Sequence, residues 1–223
     1  MSSVVEQAFS EPTSSYVDSA DYELKQYWNA GYKEFVSKLV ASASIRPGEM
    51  VLDVVTGTAV IPLEISGKTK SWDPIWDLEI TPAMLKRGHK YIREKGKPFL
   101  ITLVCASAIN LPFKDGALNV AVCGLGTQHF EMPRMLAEVK RVLTEGGRLM
   151  ITDVGASAFW RSRFGNFLLK LLLIRYGLLQ GISHAEAEVE SLKHGRTADE
   201  WRDLLTEFGF VEIKVTEHRA RRP

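Results

Sequence analysis

The chain has little of several things that would settle its class directly. Among 223 residues there are two cysteines, Cys105 and Cys123, too few for a disulfide framework and without any metal-type spacing. Both sit in apolar, strand-like runs, so they are expected as buried free thiols in a reduced compartment, and no metal site is expected. Lys and Arg number 28 against 27 Asp and Glu. That balance gives no general basis for holding a polyanion and disfavours nucleic acid as a main partner. The stretch MSSVVEQAFSEPTSS has neither a basic cluster nor a long apolar run, so no secretion signal is expected and a cytoplasmic location follows. The most apolar stretch, Phe159 to Gln180, is interrupted by Arg161, Arg163, Lys170 and Arg175 and does not suit a bilayer span. Glycine is also scarce where a dinucleotide binder concentrates it. After the first apolar run, Gly57 stands alone where the fingerprint needs three glycines, so NAD or FAD is not indicated.

What the chain does contain is organised around residues 51–64, VLDVVTGTAVIPLE. Val51, Leu52, Val54 and Val55 are too uniformly apolar for a half-exposed strand and suit one covered on both faces of a parallel sheet. Asp53 interrupts them, and a lone carboxylate there is costly unless something binds it. Thr56, Gly57 and Thr58 then form a turn into a helix, with Gly57 allowing a backbone angle or a close ligand approach that a Cβ would forbid. A second short strand is expected over residues 75–80, IWDLEI, with Glu79 close to its end. An acid at that place can accept hydrogen bonds from both ribose hydroxyls. Thr81 and Pro82 also make an ordinary helix start, so part of this pattern is accounted for by helix capping alone.

The order and spacing of these features resemble those of class I S-adenosylmethionine (SAM) dependent methyltransferases, most closely the group of ubiquinone and menaquinone biosynthesis. Residues 51–59 are similar to that family's VLD-V-G-x-G-x-G, with Val55 standing where glycine or alanine is usual and Ala59 where glycine is usual. Residues 79–85, EITPAML, resemble D-I-S-P-E-M-L. Residues 106–116, ASAINLPFKDG, resemble G-D-A-x-x-L-P-F-x-D-G, with Ser107 in place of the aspartate that accepts from the adenine amino group. RVLTEGGRLMITD, residues 141–153, is similar to RVLKPGGRLVI-D. The resemblance implies a doubly wound, mostly parallel α/β sheet of Rossmann-like type with six to seven strands, an N-terminal helical cap and a helical lid insertion. Its expected divisions are an arm and cap over 1–45, a SAM-binding core over 46–153, a lid over 154–196, and a C-terminal helix and strand over 197–223 that complete the core. VEIKVTE, residues 211–217, is the expected sixth strand; a seventh is either missing or supplied by another element.

The same resemblance implies SAM as cofactor, held by Asp53, Thr56, Gly57, Thr58, Glu79, Ile80, Ser107, Ala108 and Gly124. Tyr27 belongs either to ordinary packing or to a cap whose ring faces the sulfonium. His129 is either structural or the base for a phenol or hydroxyl acceptor. The double glycine at 146–147 reads as a tight helix-to-strand turn without chemistry. The 159–180 stretch is either a lid with its cations outward or an apolar surface for a greasy substrate or a peripheral membrane contact. The expected activity is methyl transfer by in-line displacement to a small, hydrophobic or aromatic acceptor. Two rivals stand beside it: a non-methylating or weakly SAM-binding protein on this fold, suggested by Val55, Ser107 and Asn119, and a membrane-associated interaction module.

Overall fold

A computed structural model describes residues 32–68, 74–96, 100–124, 126–127, 131–153, 155, 159, 162–165, 167–168, 171 and 195–217. These fall into two compact units, one running to Thr152 and the other from Asp153 to Glu217. In the first, helix α1 (Tyr32–Ala43) precedes β1 (Val51–Val54), α2 (Val60–Lys68), β2 (Ile75–Glu79), α3 (Pro82–Glu94), β3 (Ile101–Cys105), β4 (Leu118–Gly124), α4 (Met132–Val142) and β5 (Leu143–Thr152). The strands form one sheet in the order β3-β2-β1-β4-β5. All neighbours are parallel.

Every residue of β1 is buried, as its continuous apolar run requires for a central parallel strand covered on both faces. From β1 the chain moves outward to β2 and β3, then returns to place β4 on the other side of β1. The crevice between β1 and β4 is therefore the topological switch point, at whose carboxyl edge α/β folds bind ligands. Right-handed crossovers put α2 and α3 on one face and α4 on the other. The core joins Val36, Leu39 and Val40 of α1, Ile61 and Ile65 of α2, and Val51, Ile75, Val120 and Val122 of the strands. Met135, Leu136, Val139 and Val142 of α4 are completely buried.

Asn119 sits at the amino end of β4, away from the ligand edge. Its Oδ1 accepts from Met50 N–H at 2.8 Å, while its own N–H donates to Met50 O at 2.9 Å. Asn119 thus clamps the start of β4 to the residue before β1.

Three expectations are corrected. The described sheet has five strands, and residues 211–217 form no strand. Val211 is 82% exposed, and Glu212 takes a left-handed φ of 54° that breaks the run at its start; β propensity alone does not make a strand. Secondly, the Thr144–Gly147 segment is no separate turn. Strand β5 begins at Leu143, and the register jumps from Leu118↔Leu143 to Val120↔Arg148, so the extra residues form a bulge with Gly146 at φ 72°. Finally, Cys123 is buried but Cys105 is exposed, since it ends β3, the edge strand.

In the second unit, helix α5 (Ala198–Glu207) opens with a reciprocal capping box. Glu200 N–H donates to Thr197 Oγ1 at 3.3 Å and Thr197 N–H donates to Glu200 Oε2 at 2.8 Å. Trp201 Nε1 donates to Asp153 Oδ2 at 3.2 Å, tying the helix to the start of its own unit.

Candidate functional site

The carboxyl ends of β1, β2 and β3 build the site. Between Val54 and α2 the backbone takes three left-handed residues, Val55 (φ 64°), Gly57 (φ 60°) and Ala59 (φ 62°). Gly57 adopts this angle freely, whereas Ala59 and especially the β-branched Val55 are strained by it. Val55 N–H and Thr56 N–H both donate to Leu78 O, at 2.9 and 3.2 Å, which lashes the start of the turn to β2. On the far side, a Cβ on Gly88 of α3 would lie 3.4 Å from Ala59 Cβ. This glycine lets α3 pack tightly against the turn.

Glu79 is the acid around which the turn closes. It is 5% exposed, and its Oε2 accepts from Gly57 N–H at 3.1 Å while Oε1 accepts from Thr81 N–H at 2.9 Å. Each oxygen keeps lone-pair capacity for one further donor, as a vicinal diol requires. Glu79 pairs in register with Cys105, and Ala106 N–H donates to Glu79 O at 3.3 Å. The 106–110 loop is therefore beside the acid. In it Ala108 is buried, and Ser107 Oγ accepts only a long bond, 3.4 Å, from Ile109 N–H. Ile80 follows Glu79 and is 43% exposed, an apolar surface beside the acid.

Beneath the turn lies a pair of acids, of which the first motif marks Asp53 and no motif marks Asp77. Asp53 of β1 and Asp77 of β2 are paired in register, on strands about 4.8 Å apart. Both are completely inaccessible. Among the described residues no carboxyl oxygen of either, nor Thr56 Oγ1, has a hydrogen-bond partner of good geometry. Burial pushes Asp77 up to about 8; the Thr56 hydroxyl nearby works against that rise and the Glu79 charge with it. Burial raises Asp53 as well, with Asp77 adding to the effect. Burial without a well-aligned partner favours the neutral form of both acids.

The expected site residues thus divide. Thr56, Gly57, Thr58, Glu79, Ile80, Ser107 and Ala108 gather at the carboxyl edge of β1, β2 and β3. Asp53 lies below them, with no surface for a ligand to touch. Gly124 ends β4, but a Cβ there would meet Ile61 Cδ1 at 2.5 Å, so its smallness serves the packing of α2. Tyr27 and His129 lie outside the described residues, as does most of the 159–180 stretch. Asp77 could have been found from the period of two in I-W-D-L-E, which puts it on the face of Glu79.

Arg141 and Glu138 of α4 also escape a reading of the sequence. Arg141 donates to Leu111 O at 3.0 Å, Phe113 O at 2.8 Å, Asp115 Oδ1 at 2.8 Å and both Glu138 oxygens at 2.8 Å. Glu138 Oε2 in turn accepts from Leu111 N–H at 2.7 Å. The L-P-F-K-D-G segment is thereby anchored to α4, and the segment positions Ser107 and Ala108 just before it.

Comparison with known proteins bears on the family and the fold. The model of the ubiE/COQ5 methyltransferase family matches residues 4–220. A demethylmenaquinone methyltransferase of Symbiobacterium thermophilum is 27% identical over 83% of this chain and 76% of its own. A ubiquinone/menaquinone biosynthesis C-methyltransferase of a Geobacter species is 26% identical over 74% and 71%. Among solved structures, the geranyl diphosphate C-methyltransferase of Streptomyces coelicolor, in complex with Mg2+, geranyl diphosphate and S-adenosyl-L-homocysteine, superposes with a TM-score of 0.61 at 15% identity. That match covers 90% of this chain and 67% of that one, and it bears on the fold.

Proposed function

The chain belongs to the ubiE/COQ5 methyltransferase family and is a SAM-dependent methyltransferase, and we propose that it methylates a ring carbon of a small, apolar quinol precursor. The acceptor class follows from the two relatives, whose names place them in menaquinone and ubiquinone synthesis. One observation carries the assignment of the site: the Glu79 carboxylate, 3.1 Å from Gly57 N–H, stands at the carboxyl edge with lone pairs left for a ribose.

The residues present fit the cofactor. Glu79 would accept from the ribose hydroxyls, Ile80 and Ala108 would flank the adenine, and the Ser107 hydroxyl would accept from its amino group. Ser107 makes a neutral hydrogen bond where a carboxylate would make a charge-assisted one, and so contributes less. SAM supplies an electrophilic methyl on a cationic sulfur. The chain's own part is to hold acceptor and methyl in line at about 3 to 3.5 Å and to keep water out. A ring carbon made nucleophilic by its own hydroxyl substituents needs only a weak base for the proton it gives up after the methyl arrives. His129 takes that place in this reading.

The test is calorimetric binding of SAM and S-adenosylhomocysteine, followed by incubation with deuteromethyl-SAM and a prenylated hydroquinone. A carbon-bound label, with binding weakened about tenfold or more in Glu79→Gln through loss of charge-assisted bonds, is the expected result. A labelled methyl on oxygen refutes the carbon acceptor. Unaltered binding by Glu79→Gln refutes the site.

Exposed aromatic side chains favour a peripheral membrane contact as well. Phe164 and Phe167 are 65% and 57% exposed, with Leu171 nearby in sequence at 48%. No helix among the described residues is long and apolar enough to cross a membrane. Sedimentation with anionic vesicles, lost on changing Phe164 and Phe167 to serine, tests the contact. Equal sedimentation of the variant refutes it. With neither cysteine in a disulfide, the cytoplasm is the compartment we assign.

A further inference from the structure

We propose that Val55 and Gly126 form a matched knob and recess that closes the switch-point crevice, and that Val55 thereby limits the size of the alkyl group on the donor's sulfur. The proposal rests on the reading of Gly57 and Glu79 as the grip on the adenosyl group.

Three observations converge on it. The first is direction. Ribose and adenine recognition run from the end of β2 toward the loop after β3, so the rest of the donor must extend the other way, past β1 toward β4. Val55 lies on that path, directly after β1, and Gly126 follows the end of β4.

The second is the fit. A Cβ on Gly126 would stand 3.0 Å from Val55 Cγ1 and 3.2 Å from Val55 Cβ, closer than ordinary van der Waals contact. Residue 126 is therefore free of a side chain where the valine needs room. Gly126 is buried while Val55 remains half-buried, so the valine keeps a surface toward the crevice.

The third is strain. A β-branched residue at φ 64° persists only where its surroundings fix it. Here the two backbone bonds to Leu78 O hold the turn, so the direction of the Cα–Cβ bond of the valine is fixed. The bond between Gly57 N–H and Glu79 is untouched by it, since Val55 Cγ1 is turned toward Gly126. In this reading the valine narrows the sulfonium end and leaves the Glu79 end as it is.

The consequence is selectivity. A methyl sulfonium passes and an ethyl sulfonium meets the valine. The test measures dissociation constants of SAM and of its S-ethyl homologue with the full chain, wild type and Val55→Ala. Wild type should favour the methyl donor by about tenfold or more, the usual worth of one methylene in a tight apolar site, and Val55→Ala should bring the ratio within about threefold. Gly126→Ala should weaken both donors and lower the melting temperature, with Val55→Ala/Gly126→Ala recovering both.

An unchanged methyl-to-ethyl ratio in Val55→Ala, with SAM still bound, overturns the selectivity alone. Gly126→Ala indistinguishable from wild type overturns the pairing. If wild type binds neither donor, the adenosyl reading itself falls and the selectivity goes with it.

Discussion

Replacing Asp77 by asparagine should stabilise this protein at neutral pH, because the wild-type carboxyl is kept protonated at a cost the amide never meets. Asp77 is buried within β2 opposite Asp53, and burial raises it from 3.8 to about 8. In the unfolded chain the same group ionises near 3.8, so between these two values folding takes up a proton. Stability is then complete below the unfolded pKa, falls as pH rises, and levels off above the folded one. At pH 7 the gap from 3.8 spans about three pH units at about 1.4 kcal/mol each, a ceiling on the order of 4 kcal/mol. Local relaxation and water entry reduce it, so a gain of about 2 to 4 kcal/mol is expected. Asparagine matches the shape of the protonated acid and leaves a similar neutral group unpaired, so little else changes. Urea unfolding of both proteins at pH 5, 7 and 8.5 measures this directly. The wild type should lose stability across the series, and its deficit against Asp77→Asn should widen with pH. A variant less stable than wild type at pH 7, or a deficit independent of pH, refutes the account of the buried pair.

Two further substitutions probe the scaffold. Arg141→Met keeps much of the side-chain length but removes every donor to Leu111 O, Phe113 O, Asp115 and Glu138, so stability should fall by about 2 to 4 kcal/mol; hydrogen exchange should quicken most at Leu111 and Gly116, and uniform exchange rates would contradict the anchoring role. Gly124→Ala places a Cβ 2.5 Å from Ile61 Cδ1 and should cost about 1 to 3 kcal/mol by overpacking. Adding Ile61→Val, which removes that atom, should recover most of the loss in thermal melts, and failure of the double variant to recover would show that the clash is not the cause.

The fold was legible where local pattern and global fold agree. Residues 51–54 read as a doubly buried strand because nearly every side chain is apolar, and that burial is complete. Glu79 was legible because an acid that closes an apolar strand and precedes Thr-Pro stands at the ligand edge of a parallel sheet, and it does meet the glycine turn. What escaped the sequence depends on pairing between distant segments. Asp77 gains its meaning only from register, which sets it against Asp53 twenty-odd positions away in the chain. Arg141 reads as an ordinary surface cation of a helix until the 111–116 segment folds back on it. Residues 211–217 have strand composition, but the left-handed backbone at Glu212 interrupts the run, and composition does not announce that. Cys105 looked buried because its run is apolar, and edge position in the sheet decided otherwise.

The three acids under and beside the turn invite a simple electrostatic story in which negative charge draws in a cationic donor, and the geometry argues against it at neutral pH. Burial shifts Asp53 and Asp77 toward the neutral form, and Glu79, with two backbone donors, is the acid placed to act on the donor as a charge. The donor and its demethylated product differ at sulfur by one positive charge, and they share the same amino and carboxylate groups. Their affinity ratio therefore isolates the field at the sulfur from other titrations. As pH passes about 8, Asp77 ionises, and a new negative charge beneath the turn attracts the sulfonium and leaves the neutral thioether nearly indifferent. Binding of SAM relative to S-adenosylhomocysteine should accordingly tighten between pH 7 and 9. At a separation on the order of 10 Å and an effective dielectric near 20, the interaction is about 1 to 2 kcal/mol, or roughly tenfold. Asp77→Asn should abolish the change. A wild-type ratio that is constant over this range, with both ligands still bound, would mean that the buried pair and the sulfur do not sense one another, and that the acids serve the turn's structure alone.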